Sequence, residues 1–227
     1  MADNYVIAFD LLETLLDLSA LDDAFREHFG GSQLRQEWFT EVQNLMFAIT
    51  AANRYESFAD ISEAALKVIE ERHRQKLSWG KRKDILQQMR QLPPFPDVEP
   101  ALRRMHGVGL RLVVLTNSAR KSAYQTLEGA SINTFFEDVF SAEDAGRLKP
   151  AAEPYLMAAK KCKVKARNLL LVAAHSWDIT GAKSAGCAAC FVQRPGKVLA
   201  EVVPRPDLVM PDLHELANQV LRARHAA

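Results

Sequence analysis

Apolar residues run along this chain in two alternating rhythms. Short, nearly unbroken apolar runs recur as YVIAFD at 5–10, LRLVVLTN at 110–117, DVFS at 138–141, NLLLVAA at 168–174 and AACFVQ at 188–193. Such continuity predicts strands buried on both faces, as in a parallel sheet whose crossovers are helices. The stretches between the later runs have helical spacing, so the expected fold class is α/β, a doubly wound parallel sheet of five strands.

Between the first strand and the second the rhythm changes for about a hundred residues. Leu21, Phe25, His28 and Phe29 share one helical face, as do Trp38, Val42, Leu45 and Ile49, then Phe58, Ile61, Ala65 and Ile69, then Ile85, Met89 and Leu92. Four inserted helices are expected. The proline-dense LPPFPDVEP at 92–100 should be extended and lead back to the sheet, because the residue before a proline avoids the helical region. The expected division is a core of 1–15 and 94–227 with a helical cap of 16–93.

Composition narrows the ligand. The 227 residues are 48% hydrophobic, enough to fill a sizeable core. The 29 basic and 28 acidic residues nearly cancel, so charge provides no attraction to nucleic acid or to an anionic membrane, and a small-molecule partner is expected. No leader pattern and no run of roughly 20 apolar residues is present, which points to the cytoplasm and to no membrane partner. Cys162, Cys187 and Cys190 are an odd number. Cys187 and Cys190 form a CxxC, but no second pair or nearby histidine completes a zinc set, and buried thiols are expected.

In open α/β sheets ligands bind beyond the carboxyl ends of the strands. That rule selects Asp10, then Thr116, Asn117 and Ser118, then Lys149, then the AAHSWD of 173–178. Asp10 is the costly one, since an unpaired charge among apolar neighbours costs several kcal/mol or loses its ionisation. Plainer readings exist for each residue. Asp10 or Asp178 can cap a helix, Lys149 can be a surface lysine before a turn, and Ser118 can cap a helix starting near Ala119. His175 can be a core histidine, and Met46 and Phe47 can fill the cap interior.

Asp10 with Thr14, the TNS of 116–118, Lys149 with Pro150, and Asp178 in HSWDITGA together, and in this order, resemble the four motifs of the haloacid dehalogenase superfamily. The resemblance implies a Rossmann-like core with a helical cap and a nucleophilic Asp10 that forms a covalent intermediate. Lys149 would keep Asp10 ionised, and the hydroxyls of Thr14 and Thr116 would fix its rotamer. Phosphatases of the superfamily carry a second aspartate two residues after the nucleophile, where this chain has Leu12. A leucine neither donates a proton nor supports a metal site, so no metal and no cofactor is expected.

The resemblance narrows to the type II L-2-haloacid dehalogenases. It implies that Asn117 contacts the halide, Trp177 and Leu12 line the pocket, Phe58 of RYESF faces the substrate, and Asp178 positions or activates water. Ser118 is a candidate ligand of the substrate carboxylate. The chain departs from that family at Ala173, Ala174 and His175, which stand for a Ser-Ser-Asn run, and at Phe39, which follows Trp38 where the family has arginine. Arg35 or Arg54 is expected to supply the cation instead. His175 would take the asparagine's place at the halide, favouring release of fluoride, or assist water. The expected activity is metal-independent hydrolysis of short 2-haloalkanoic acids, haloacetates and fluoroacetate among them, to 2-hydroxy acids with inversion, as by an (S)-2-haloacid dehalogenase. A phosphatase or phosphonate hydrolase of the same fold is the alternative, a binding or regulatory protein a third reading, and a homodimer is left open.

Overall fold

A computed structural model describes residues 5–225. Residues 1–4 and 226–227 of the expected core lie outside them. Strand β1, Val6–Phe9, is followed by helices α1 (Asp22–Phe29), α2 (Gln33–Ala51), α3 (Phe58–Arg72) and α4 (Trp79–Gln88). Then come α5 (Val98–Gly107), β2 (Arg111–Thr116), α6 (Arg120–Gly129), β3 (Asp138–Ser141) and α7 (Ala152–Lys161). The chain ends with β4 (Leu169–Ala173), α8 (Ser176–Ser184), β5 (Ala188–Val192), β6 (Leu208–Met210) and α9 (Leu213–His225).

The sheet is parallel throughout, in the order β3-β2-β1-β4-β5-β6. β1 is central, and the order reverses between it and β4, which makes the crevice at their carboxyl ends the place for a ligand. Successive strand residues enter opposite cores, because side chains alternate across a strand. Ile7, Phe9, Leu112, Val114, Leu170 and Val172 pack toward α5, α9 and the inserted helices. Val6, Ala8, Val113, Leu115, Leu169 and Leu171 pack toward α7 and α8.

Five of the strands lie where continuous apolar runs predict them. The sixth, β6, escapes that reading: it is three residues long, Val209 is half exposed, and it pairs with β5 at the sheet edge. The proline-dense linker is extended only at its start. Leu16 bridges Pro94, the Asp17 N–H donates to the Pro93 carbonyl (2.9 Å) and the Phe95 N–H to the Leu15 carbonyl (3.0 Å), so the two chain crossings run side by side. Pro100, expected in extended chain, lies instead in the first turn of α5, where a helix needs no N–H from it.

Within the insert, Phe25 sits between Phe29 and Trp38, with ring centroids 5.5 and 5.4 Å away, and the Trp38 indole donates to the Ser62 carbonyl. This joins α1, α2 and α3 around one aromatic cluster. Ser57 and Ser78 cap α3 and α4 through their hydroxyl oxygens. The three cysteines are buried, and burial pushes the Cys187 thiol up to about 11 and that of Cys190 to about 12. Among the described residues no helix is long and apolar enough to cross a membrane.

Candidate active site

Asp10 follows β1 directly, and its backbone N–H still donates to Val172 in the next strand at 3.0 Å. The carboxylate therefore projects from a rigid strand end. Lys149, fully buried, spends all three ammonium protons there: on Asp10 Oδ1 (2.8 Å), on Asp178 Oδ2 (2.6 Å) and on the Leu115 carbonyl (3.0 Å). Burial alone would push the Asp10 carboxyl up, but the Lys149 and His175 charges more than reverse it and hold it well below the ordinary carboxylate range. The same two carboxylates raise Lys149 against the opposing effect of its burial. Asp178 is pushed up by burial and by the Asp10 charge, despite Lys149. One ammonium between two carboxylates thus leaves Asp10 as the firm anion.

Other residues hold these groups in register. The Thr14 hydroxyl donates to Asp10 Oδ2 (2.8 Å) and accepts the Ala174 N–H (3.0 Å), tying the loop after β1 to the end of β4. The Asn117 side chain accepts the Lys149 N–H at 2.8 Å and donates to the Lys149 carbonyl and to the Met46 sulfur. Asp178 lies in the first turn of α8, yet its oxygens take Lys149 and the Tyr155 hydroxyl (2.5 Å) rather than backbone N–H groups, so a simple helix cap does not describe it. Gly181, one turn on, lets α8 approach: a Cβ there would meet the Tyr155 hydroxyl and come 2.6 Å from the Pro150 carbonyl.

His175 is buried beside Asp10. Its Nδ1 lies 3.4 Å from Asp10 Oδ2, its Nε2 lies 2.9 Å from Glu13 Oε2, and its ring stacks on Trp177 with centroids 5.2 Å apart. Burial lowers the imidazole's affinity for a proton, but Asp10 and Glu13 together raise it by more, for a net upward shift. Glu13, pushed up by burial, is pulled below its ordinary value by His175 and Lys197.

Asp10, Leu12, Phe39, Met46, Phe58, Thr116, Asn117, Ser118, His175 and Trp177 line one cavity of about 20 Å³ between the insert and the sheet. Leu12, Phe58 and Ser118 also border a second cavity of about 340 Å³, which reaches Leu86 and Met89. Most residues selected from the sequence therefore converge. Several expectations need correction. Arg35 lies outside the small cavity, paired with Asp22, and Arg54 pairs with Glu56 at the surface. Helix α2 presents Phe39 and Met46 to the cavity instead of a cation. The Thr116 hydroxyl accepts the Ser118 N–H rather than fixing the Asp10 rotamer. Ser118 does not cap α6, whose Arg120 N–H donates to Glu143. Met46 is buried in the core as expected and also borders the cavity, while Phe47 packs against that core and edge-on against Trp177.

Sequence reasoning missed Glu13, Tyr155, Arg194 and Lys197. Arg194 donates to the Thr14 carbonyl and pairs with Asp97, bracing the loop that carries Glu13 and Thr14. The available signal at Glu13 was a charge lodged between Leu12 and Thr14 in an apolar run, and at Tyr155 a phenol in the helix after Lys149 whose hydroxyl needs a partner when buried.

Comparison with known proteins agrees with this geometry. A family model for haloacid dehalogenase-like hydrolases matches residues 6–186. The chain is 27% identical to (S)-2-haloacid dehalogenase 2 of Pseudomonas sp. (strain CBS-3) over 214 residues, covering 93% of each chain. It is 24% identical to haloacetate dehalogenase H-2 of Moraxella sp. (strain B), covering 94% of this chain and 96% of that one. In fold it is similar to L-2-haloacid dehalogenase from Xanthobacter autotrophicus with chloropropionic acid covalently bound: the TM-score is 0.89 at 20% identity, over 96% of this chain and 98% of that one. The chain belongs to the haloacid dehalogenase-like hydrolases, and it is an enzyme of that family whose relatives along nearly its whole length include 2-haloacid and haloacetate dehalogenases.

Proposed function

We propose that this chain hydrolyses short 2-haloalkanoic acids, haloacetates and fluoroacetate included, to 2-hydroxy acids with inversion and without a metal. The observation that carries the reading is an ionised Asp10, held by Lys149, opening onto a small cavity walled by Leu12, Phe39, Met46, Phe58 and Trp177. In the first step an Asp10 oxygen attacks the carbon bearing the halogen, the carbon–halogen bond breaks, and the halide leaves with the bonding pair. A halide needs no general acid, only donors to receive its charge. The Trp177 indole N–H is buried with no partner among the described residues, and the Asn117 amide lines the same cavity. Water then attacks the Asp10 carbonyl of the ester, so the configuration set by back-side displacement is kept.

Metal independence is supported by the donor set. Lys149 already lies between Asp10 and Asp178, where a cation shared by these carboxylates would have to compete with it, and Leu12 supplies no oxygen. The compactness of the cavity, about the space of a water or a halogen, supports small substrates, and the adjoining hollow past Ser118 gives room for the carboxylate and a short α-substituent. The test is halide release from chloro-, bromo- and fluoroacetate with and without exhaustive chelation. Equal rates are expected. Strong Mg²⁺-dependent release of phosphate from p-nitrophenyl phosphate, without halide release, would overturn the reading in favour of the phosphatase alternative.

A further inference from the structure

Past Leu12, Phe58 and Ser118, which border the reaction cavity as well, the hollow of about 340 Å³ opens between α3 and α4 of the insert and α6 of the core. For scale, an apolar cavity of about 150 Å³ takes a benzene, and a methyl group is about the size of one water, whose share of liquid volume is about 30 Å³. The methyl substituent of a 2-halopropanoate therefore leaves most of the hollow unfilled.

The wall is built largely from Leu11, Leu12, Phe58, Leu86, Met89 and Ala119. Most of the polar groups around it are committed to partners. The Ser57 hydroxyl donates to Asp60 (2.6 Å), Lys67 pairs with Glu63 (3.0 Å), Arg82 donates to Glu70 (3.0 Å) and to the Leu77 carbonyl (2.9 Å), and the Thr126 hydroxyl donates to the Ser122 carbonyl (2.9 Å). Exposed Trp79 and Lys83 mark where the hollow meets solvent, the Lys83 ammonium 4.7 Å from the centroid of an indole that is 67% exposed. Such an ammonium stays in water while its stem covers apolar surface. An occupant of this space therefore meets apolar wall within and a cation at the edge.

We infer that this hollow is a subsite for the α-substituent, and that the chain dehalogenates 2-halo acids bearing an apolar substituent of about four to eight carbons, alkyl or arylalkyl, as well as the haloacetates. This rests on the dehalogenase reading and widens its substrate class. The carbon that Asp10 attacks carries a halogen, a carboxylate and the substituent. With the halogen in the small cavity beside Asn117 and Trp177, and the carboxylate at Ser118, the substituent leads past Leu12 and Phe58 into the hollow. Bond making and breaking are unchanged: an Asp10 oxygen bonds the carbon, the halide leaves with the bonding pair, and water later opens the ester at the Asp10 carbonyl. The substituent lies away from these atoms, so it is held alike in the ground state and the transition state. Its binding lowers KM and leaves the rate of the chemical step as it was.

The experiment measures kcat/KM for halide release from the (S)-2-bromo derivatives of propanoate, butanoate, hexanoate and octanoate, so that branching at the reacting carbon stays constant. It should rise about twofold to fourfold per added methylene, the upper figure being full burial at about 0.8 kcal/mol each. Met89→Trp and Ser122→Phe fill the hollow from opposite sides, and circular dichroism shows which of them folds, so either can decide. Each should leave bromopropanoate within about twofold of the parent and abolish the gain for the longer acids. Calorimetry adds a readout free of the chemistry: the parent should bind 2-hydroxyoctanoate more tightly than lactate, and the filled variants should bind the two alike. A flat or falling series in the parent, or variants that weaken bromopropanoate and bromooctanoate equally, would overturn the inference. A parent that prefers 2-hydroxyoctanoate yet releases no halide from any of these acids would keep the apolar subsite and overturn the dehalogenase reading.

Discussion

Asp10 stays an anion where burial opposes it because Lys149, Thr14 and His175 all reach its two oxygens. An amide at this place has nearly the same shape and almost no nucleophilicity. Asp10→Asn should therefore keep the fold, read by circular dichroism, and lose turnover to below about 1% of the parent, with reversion to aspartate excluded by mass. His175 carries a second residue-scale prediction. Its proton affinity is raised in the folded chain, by Asp10 and Glu13 acting against burial. A raised group contributes stability that is fully present below its unfolded value and lost as pH rises through the folded one. The unfolding free-energy difference between the parent and His175→Phe should thus be largest below the ordinary imidazole value of 6.5 and shrink as pH rises above it in denaturant titrations. A difference independent of pH would show that the ring packs without charge.

At the level of elements, the site depends on how closely α8 approaches the Lys149–Pro150 turn. Gly181 permits that approach at the usual cost of a helical glycine, about 1 kcal/mol relative to alanine. Gly181→Ala should lower stability by about 1–3 kcal/mol, since the new methyl meets backbone as well as the Tyr155 hydroxyl. It should lower kcat by about tenfold or more, through displacement of Asp178 and Lys149, and a chemical denaturation curve with a halide assay checks both. The element scale also shows what the sequence could tell. Strands buried on both faces declare themselves as unbroken apolar runs, which is why β1 to β5 were legible. The edge strand β6, three residues with Val209 half exposed, has no such pattern to show. The convergence of Asp10, Lys149 and Asp178 was legible because Asp10 directly follows β1, Lys149 lies in the connection after β3 and Asp178 in the first turn after β4, each in a polar motif. Arg35 was misread because helical spacing places a side chain on a face without naming its partner, here Asp22 on the neighbouring helix. Glu13, Lys197 and Arg194 act across more than 150 residues of chain, and no local pattern encodes such pairings.

Across the whole molecule, the insert and the sheet share the walls of one small space. Phe39, Met46 and Phe58 come from the insert, while Asp10, Asn117 and Trp177 come from the sheet side. The chain passes between the two at adjacent segments, Leu15–Asp17 and Pro93–Phe95, held by backbone hydrogen bonds. A cavity of about 20 Å³ holds roughly one water, so a 2-hydroxy acid formed on Asp10 has little free space between these walls. Release of such a product is expected to draw the inserted helices away from the sheet, a movement through solvent. Turnover should therefore feel the friction of the medium: kcat should fall nearly in proportion to added sucrose viscosity, with a slope of about 1, while the halide burst stays insensitive. A parent whose kcat ignores viscosity would mean that chemistry, and not the separation of these walls, sets the pace.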